Sequence, residues 1–287
     1  MIRLIASDLD GTLLKNDGTI SAKTLETIRL LNRQGILFTV ASGRDFTGVH
    51  GLFAPLHVSY EAILANGAEY IDQSGFLVST CYLDKSLVKG ILSVFDSYKV
   101  PSMMFTTAGV CTHMKEKEGR ERYRQRMIRR QHYRSEDIDD PKLAATIPAL
   151  SMTGVRYLDA LLKSDTEILK LECFDMNKDE MALVEKELRK FPDIVFFSSA
   201  GDNFEITDRH ANKGEILKRQ CEEKGIGTDE VLVIGDGLND LSMFELFPHS
   251  ACMANGMELL KEKAEWIVPA GEEEGFTAAI RHFVDLT

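Results

Sequence analysis

The apolar run Ile2-Arg3-Leu4-Ile5-Ala6-Ser7 has the length and composition of a buried strand, and it ends in Asp8-Leu9-Asp10-Gly11-Thr12. Two carboxylates one residue apart therefore stand where a strand gives way to a turn. Carboxylates beside a core are costly unless a metal, a basic partner or turn hydrogen bonds compensate them. The fold must bring such compensation to this strand end. An exposed acidic turn is the alternative, and it weakens as similar strand ends recur along the chain.

Ser21 caps a helix in which Leu25, Ile28, Leu31 and Asn32 recur at helical spacing until Gly35 ends it. A second apolar run, Ile36 to Ala41, ends at Ser42-Gly43-Arg44 and leads into a helical stretch near Asp45 to Phe53. A third, Ala62 to Ala65, ends at Asn66-Gly67-Ala68. This alternation predicts a parallel sheet with helices on its faces, whose functional site lies beyond the carboxyl ends of the strands. Asp8, Ser42 and Asn66 should converge there.

The pattern breaks near Asp84. A helix from Ser86 to Tyr98 precedes two short runs, Ser102 to Thr106 and Val110 to Met114, that read as a hairpin around Ala108-Gly109. Glu167 to Phe174 reads as a strand, Lys178 to Lys190 as a helix, and Ile194 to Ser198 as a strand paired with Asn203 to Thr207. Alternation resumes with a helix from Lys213 to Glu223 and the strand Val231 to Ile234. The expected division is a discontinuous parallel-sheet core, 1–82 and 200–287, interrupted by an α+β domain over 83–199.

A chain of 287 residues can bury one large core or two ordinary ones, and 44% hydrophobic with 28% charged residues is a globular composition. The net charge of −11 disfavours general nucleic-acid binding, because phosphate backbones repel such a field. The five cysteines are odd in number, scattered and without a C-x-x-C pair, so neither a disulfide framework nor a zinc site is expected. Asp8 and Asp10 interrupt the N-terminus before a signal-peptide core could form, and no run approaches a membrane span. The expectation is a cytoplasmic enzyme or binding protein with no membrane partner.

The strand Val231 to Ile234 ends in Gly235-Asp236-Gly237-Leu238-Asn239-Asp240, and Lys213-Gly214 opens the helix before it. Asp8, Asp10, Asp236 and Asp240 gathered at one sheet edge would repel one another strongly. Magnesium is the natural cation for such a group, since it takes oxygen ligands from carboxylates, waters and phosphate. Lys213, Ser42 and the turn amides would complete an anion site.

These stretches, in this order, resemble the four motifs of the haloacid dehalogenase superfamily of phosphohydrolases: Asp8-Leu9-Asp10-Gly11-Thr12, Ser42-Gly43-Arg44, Lys213-Gly214 and Gly235 to Asp240. The insertion between the second and third motifs is similar to the Cof-like branch with a type IIB cap. The resemblance implies an α/β, Rossmann-like parallel-sheet core with an inserted α+β cap domain. It implies that Asp8 is the nucleophile, forming an aspartyl-phosphate, and that Asp10 protonates the leaving oxygen and then activates water. It further implies a Mg²⁺ ion held by Asp8, the Asp10 backbone carbonyl and Asp236, with Asp240 orienting that shell or Lys213. Leu9, Ser42, Gly43, Lys213 and Asn239 would bind the phosphoryl group, and Arg44, Asn66 and Gly67 would be candidates for substrate or cap contacts.

Dehalogenating relatives lack the second acid, so Asp10 favours phosphoester hydrolysis of small phosphorylated metabolites: sugar phosphates, nucleotides or phosphorylated cofactors. A phosphomutase using the same intermediate, and a silent phosphometabolite-binding regulator, are the alternatives. A receiver domain is disfavoured, because its phosphoacceptor ends a later strand. Two stretches depart from the family pattern: Gly271-Glu272-Glu273-Glu274-Gly275-Phe276, where an asparagine is common at the first position, and Ala254-Asn255-Gly256-Met257 in place of a more usual Asn-Ala. One local charge anomaly, Lys115 to Arg134, holds nine Lys/Arg against three Glu. A solvated helix face with pairs Glu116–Arg120 and Glu118–Arg122 is the favoured reading. The other is an electropositive lid in which Arg124, Arg126 and Arg130 steer substrate.

Overall fold

The computed structural model describes residues 1–131 and 147–285. In chain order the first strands are β1 (Leu4–Ser7), β2 (Leu37–Ala41), β3 (Glu61–Leu64), β4 (Glu69–Ile71) and β5 (Leu77–Thr80). Next come β6 (Ser102–Thr106), β7 (Gly109–Thr112), β8 (Thr153–Gly154), β9 (Ile168–Cys173), β10 (Ile194–Phe197) and β11 (Phe204–Asp208). The chain closes with β12 (Val231–Gly235), β13 (His249–Met253) and β14 (Trp266–Val268).

Two compact units result. One comprises Met1–Arg44, Phe53–Thr80 and Asn212–Thr287; the other comprises Asp45–Leu52 and Cys81–Ala211. The first unit is built on an eight-stranded sheet of order β14-β13-β12-β1-β2-β3-β4-β5. The strands from β14 to β3 pair in parallel, and β4 and β5 extend the sheet antiparallel. β1 and β12 lie near the middle and are fully buried, as their unbroken apolar runs require. Strands at the two edges escaped the sequence reading: β14 has three residues, and β5 is largely exposed, so neither presents a buried apolar run.

The helix Ala22–Arg33 is capped by Ser21, whose hydroxyl accepts the Thr24 amide. Its buried face holds Thr24, Thr27, Ile28 and Leu31. That face includes two threonines because partners meet their hydroxyls: Thr27 pairs with Thr277, and Thr24 donates to Glu274. The helix Lys213–Lys224 is capped by Asn212, which accepts the Glu215 amide. Gly214 lies so close to the turn at Ser242 that a Cβ would stand 2.3 Å from its carbonyl oxygen. Only glycine lets this helix start approach so tightly, and Lys213 rides on it.

The second unit has a six-stranded sheet of order β10-β11-β9-β6-β7-β8. This sheet runs on to Asp208, past the expected end of the insertion at Ser199. Leu171 and Cys173 face an apolar layer made with Val88, Ile91, Phe95, Val184 and Leu188 from the helices Lys85–Ser97 and Lys178–Leu188. Lys170 and Glu172 alternate onto the opposite face, where both are buried. Lys170 pairs with Glu205 at 2.5 Å, and Arg126 pairs with Glu172 at 3.0 Å and Asp202 at 2.9 Å.

The helix Glu116–Gln131 carries most of the basic stretch. The expected pairs Arg120–Glu116 and Arg122–Glu118 are present at 3.0 and 3.6 Å. Arg126 departs from the picture of a solvated face. Its side chain is 7% exposed and its charge is matched by two acids, so it cannot serve as an attracting surface charge. The Arg130 side chain and residues 132–134 of this stretch lie outside the described residues.

Candidate active site

Asp8 is positioned by the last rung of the central sheet, where its amide donates to the Ile234 carbonyl at 2.8 Å. Its carboxylate meets Lys213, whose ammonium contacts Asp8 Oδ1 at 2.6 Å and Asp240 Oδ1 at 2.7 Å. All three side chains are buried, with Lys213 and Asp240 at 0% exposure. Asp240 also accepts the amides of Asp236 and Gly237 through Oδ2, at 3.1 and 3.0 Å. Three donors therefore hold Asp240, which fixes the lysine against Asp8.

Asp236 completes a carboxylate cluster. One oxygen from each of Asp8, Asp236 and Asp240 lies within 4.8 Å of the others. Asp236 Oδ1 accepts the Thr12 hydroxyl at 3.0 Å. Gly11, at φ +84°, packs against the same carboxylate, and a Cβ there would fall 2.3 Å from Asp236 Oδ2. A side chain at position 11 would thus meet both backbone strain and a direct clash.

Asp10 has a different environment. Its carboxylate is 54% exposed and is gripped by Arg44, Nε to Oδ2 at 2.9 Å and an Nη to Oδ1 at 2.6 Å. This forked geometry engages two of the guanidinium's five N–H donors. Arg44, a candidate for substrate or cap contacts, is thus paired with Asp10 in the structure. Asp10 is not one of the three carboxylates that lie within reach of one another.

The remaining strand ends converge as the alternation predicts. Asn66, buried at φ +61°, donates its amide to the Ser42 carbonyl and accepts Asn239 Nδ2 on its side chain at 3.3 Å. Ser42 Oγ accepts the Arg44 amide. Gly67 packs on the backbone of Asn212, where a Cβ would stand 2.8 Å from its nitrogen. It supports the start of the helix that carries Lys213. Leu9 is buried, and its carbonyl accepts the amides of Leu13 and Leu14. Gly43 lies between Ser42 and Arg44 at the β2 end.

Two residues at the site were not singled out beforehand, Thr12 and Asn255. Asn255 Nδ2 donates to the Gly11 carbonyl at 2.9 Å and to Asp236 Oδ2 at 3.3 Å. Its signal was available, since Ser250-Ala251-Cys252-Met253 is an apolar run ending in Ala254-Asn255-Gly256, the same strand-to-polar-turn pattern as at Asn66.

Residues 5–280 match the family model described as haloacid dehalogenase-like hydrolase. The chain belongs to that family. Among relatives of this haloacid dehalogenase-like hydrolase is the phosphatase YwpJ of Bacillus subtilis, 31% identical, with 99% of this chain and 100% of the relative covered. Another is the 5-amino-6-(5-phospho-D-ribitylamino)uracil phosphatase YwtE of the same species, 28% identical over 99% of this chain and 97% of its own. A solved haloacid dehalogenase-like hydrolase from B. subtilis superposes with a TM-score of 0.85 at 28% identity, covering 99% of this chain and 100% of that one. The Cof-like resemblance and the α/β core with an inserted cap domain stand on these likenesses.

The electrostatics of this hydrolase's cluster are unbalanced. Burial, then the neighbouring Asp240, pushes the Asp236 carboxyl up to about 7. Burial and the charges of Asp240 and Asp236 likewise raise Asp8 well above an ordinary aspartate, against the opposing pull of Lys213. Burial works against the Lys213 charge, but Asp240 and Asp8 more than offset it and hold the ammonium above its usual value. Two buried carboxylates, Asp8 and Asp240, share one lysine, with the half-buried Asp236 beside them. The all-oxygen donor set of this cluster is one that suits a hard divalent ion. Among the described residues no helix is long and apolar enough to cross a membrane, and all five cysteines are free thiols.

Proposed function

We propose that the protein is a cytoplasmic, Mg²⁺-dependent phosphatase of small phosphorylated metabolites that works through an aspartyl-phosphate on Asp8. The observation that carries this reading is the Lys213 ammonium held between Asp8 and Asp240 at 2.6 and 2.7 Å beside Asp236. Phosphoryl transfer asks for charge neutralisation and in-line positioning more than for reactive side chains, and this arrangement suits that demand.

With Oδ1 of Asp8 held by Lys213, Oδ2 is the oxygen assigned to attack phosphorus. The P–O bond to the leaving group breaks as the Asp8–phosphorus bond forms, and Asp10 gives the departing oxygen its proton. Asp10 then takes a proton from water, whose oxygen displaces Asp8 and releases inorganic phosphate. The exposures fit these roles: a buried carboxylate for the covalent bond, a solvent-reaching one for the proton. Arg44 orients Asp10, while Lys213, Ser42, Asn239 and the amides of Leu9 and Gly43 are assigned to the phosphoryl oxygens. Asp8, Asp236 and the Asp10 carbonyl would hold Mg²⁺, with Asp240 turned toward Lys213. When bound, Mg²⁺ supplies charge neutralisation between these carboxylates and the phosphoryl group.

The relative named for a phosphorylated ribityl compound supports a small-metabolite substrate class. Phosphate release from para-nitrophenyl phosphate and from a metabolite panel, with and without EDTA, tests the reading. Release should require Mg²⁺ and vanish in Asp8→Ala. Retained turnover in Asp8→Ala would overturn the mechanism.

A further inference from the structure

The loop Ala254-Asn255-Gly256-Met257 follows β13 and closes directly on Asp236. The Met257 amide donates to the Asp236 carbonyl at 2.9 Å. A Cβ at Gly256 would stand 3.2 Å from Asp236 Cα, so the loop backbone lies against that residue. Asn255 then places one side-chain nitrogen between two acceptors, the Gly11 carbonyl at 2.9 Å and Asp236 Oδ2 at 3.3 Å. Thr12 holds the other oxygen, Oδ1, at 3.0 Å. Both oxygens of Asp236 are oriented from outside the carboxylate cluster. The turn that follows Asp10 is tied to the same carboxylate through Gly11.

We infer that Asn255 is a positioning residue that locks the Asp236 carboxylate to the Gly11 turn and so sets the affinity of the cluster for its divalent cation. This rests on the reading of Asp8, Asp236 and the Asp10 carbonyl as the cation site given above. The side-chain type suits the task. An amide donates two hydrogens from one nitrogen and adds no charge, whereas an aspartate of the same shape would donate neither and would set a further carboxylate beside a cluster already short of positive charge. Partners that orient a metal ligand in this way govern affinity without touching the metal. Asn255 is exposed and its contacts here are polar, so replacing it leaves the core packing intact.

Calorimetric titration of the EDTA-stripped full chain with Mg²⁺ tests the inference, in wild type, Asn255→Ala and the uncharged isostere Asn255→Leu, alongside thermal melting in EDTA. Affinity should fall about tenfold in both variants, the loss typical of an outer partner to a metal ligand. Melting in EDTA should not change. Undiminished Mg²⁺ affinity in Asn255→Ala and Asn255→Leu would overturn the proposal, as would a loss matched by a lowered melting temperature of the stripped protein, which would mark a merely structural role. If stripped wild type binds no Mg²⁺, the cation reading itself fails, and this inference falls with it.

Discussion

Two of the places where the protein buries charge are treated differently. In the inserted unit, Lys170 faces Glu205, and Arg126 lies between Glu172 and Asp202. Asn203 adds hydrogen bonds to Glu172 and Ser199, and Ser199 adds one to Glu205. Each buried cation there has its acid. In the core unit, among the described residues, Lys213 is the one cation paired with the cluster of Asp8, Asp236 and Asp240. A matched buried network contributes a defined structure, whereas a mismatched one stores an electrostatic demand that a ligand can meet. The location of the mismatch, rather than of buried charge as such, marks the site.

The sharpest way to break this comparison is at Asp8. Asp8→Asn should abolish phosphate release from para-nitrophenyl phosphate, a loss beyond the roughly 10²–10⁴-fold expected for a general acid or base alone. Because it also removes one of three repelling carboxylates, the variant should melt no lower than wild type in EDTA. Asp10→Asn, outside the mismatch, should lower kcat by about 10²–10⁴-fold with Mg²⁺ affinity preserved. The matched network predicts the reverse pattern. Arg126→Ala strands Glu172 in the inserted unit and should cost about 3–5 kcal/mol in urea unfolding, the usual penalty for removing one partner of a buried pair.

A smaller effect comes from pH. The Asp236 carboxyl, at about 7 in the folded state, keeps a proton that an unfolded aspartate releases near 3.8. Its stabilising contribution is therefore complete below the unfolded value and is lost as pH rises through about 7. A cation can take the proton's place. The rise in melting temperature on adding Mg²⁺ should be slight at pH 5.5 and grow toward pH 8, reaching roughly 5–10 °C at about a hundredfold excess over Kd. A Mg²⁺ effect independent of pH would separate Asp236 from the cation site.

Most of the core site was legible because its parts share one pattern: an apolar run, then a short polar turn. Asp8, Ser42, Asn66 and Asp236 all sit at such strand ends, and Lys213 opens a helix with a recognisable cap. Other features had no local signal. Arg126 belongs to a helix rich in exposed arginines, and only its position against the sheet of the inserted unit turns it inward. The pairing of Arg44 with Asp10 joins residues from the ends of two strands, and composition does not choose between that bridge and a substrate contact. The short edge strands β5 and β14 lack the buried run that strand recognition depends on.

The sequence by itself determined which side chains stand at strand ends, because strand periodicity and turn chemistry are local properties. It also determined that the acids outnumber the bases among them. Only the tertiary structure decided how those charges are shared: Lys213 between Asp8 and Asp240, Arg44 on Asp10, and Asp236 held by Thr12 and Asn255. The reason is physical. Buried electrostatics depend on distances of a few ångströms between residues here 19 to 224 positions apart, and those distances are fixed by sheet order and loop docking, on which no local pattern bears.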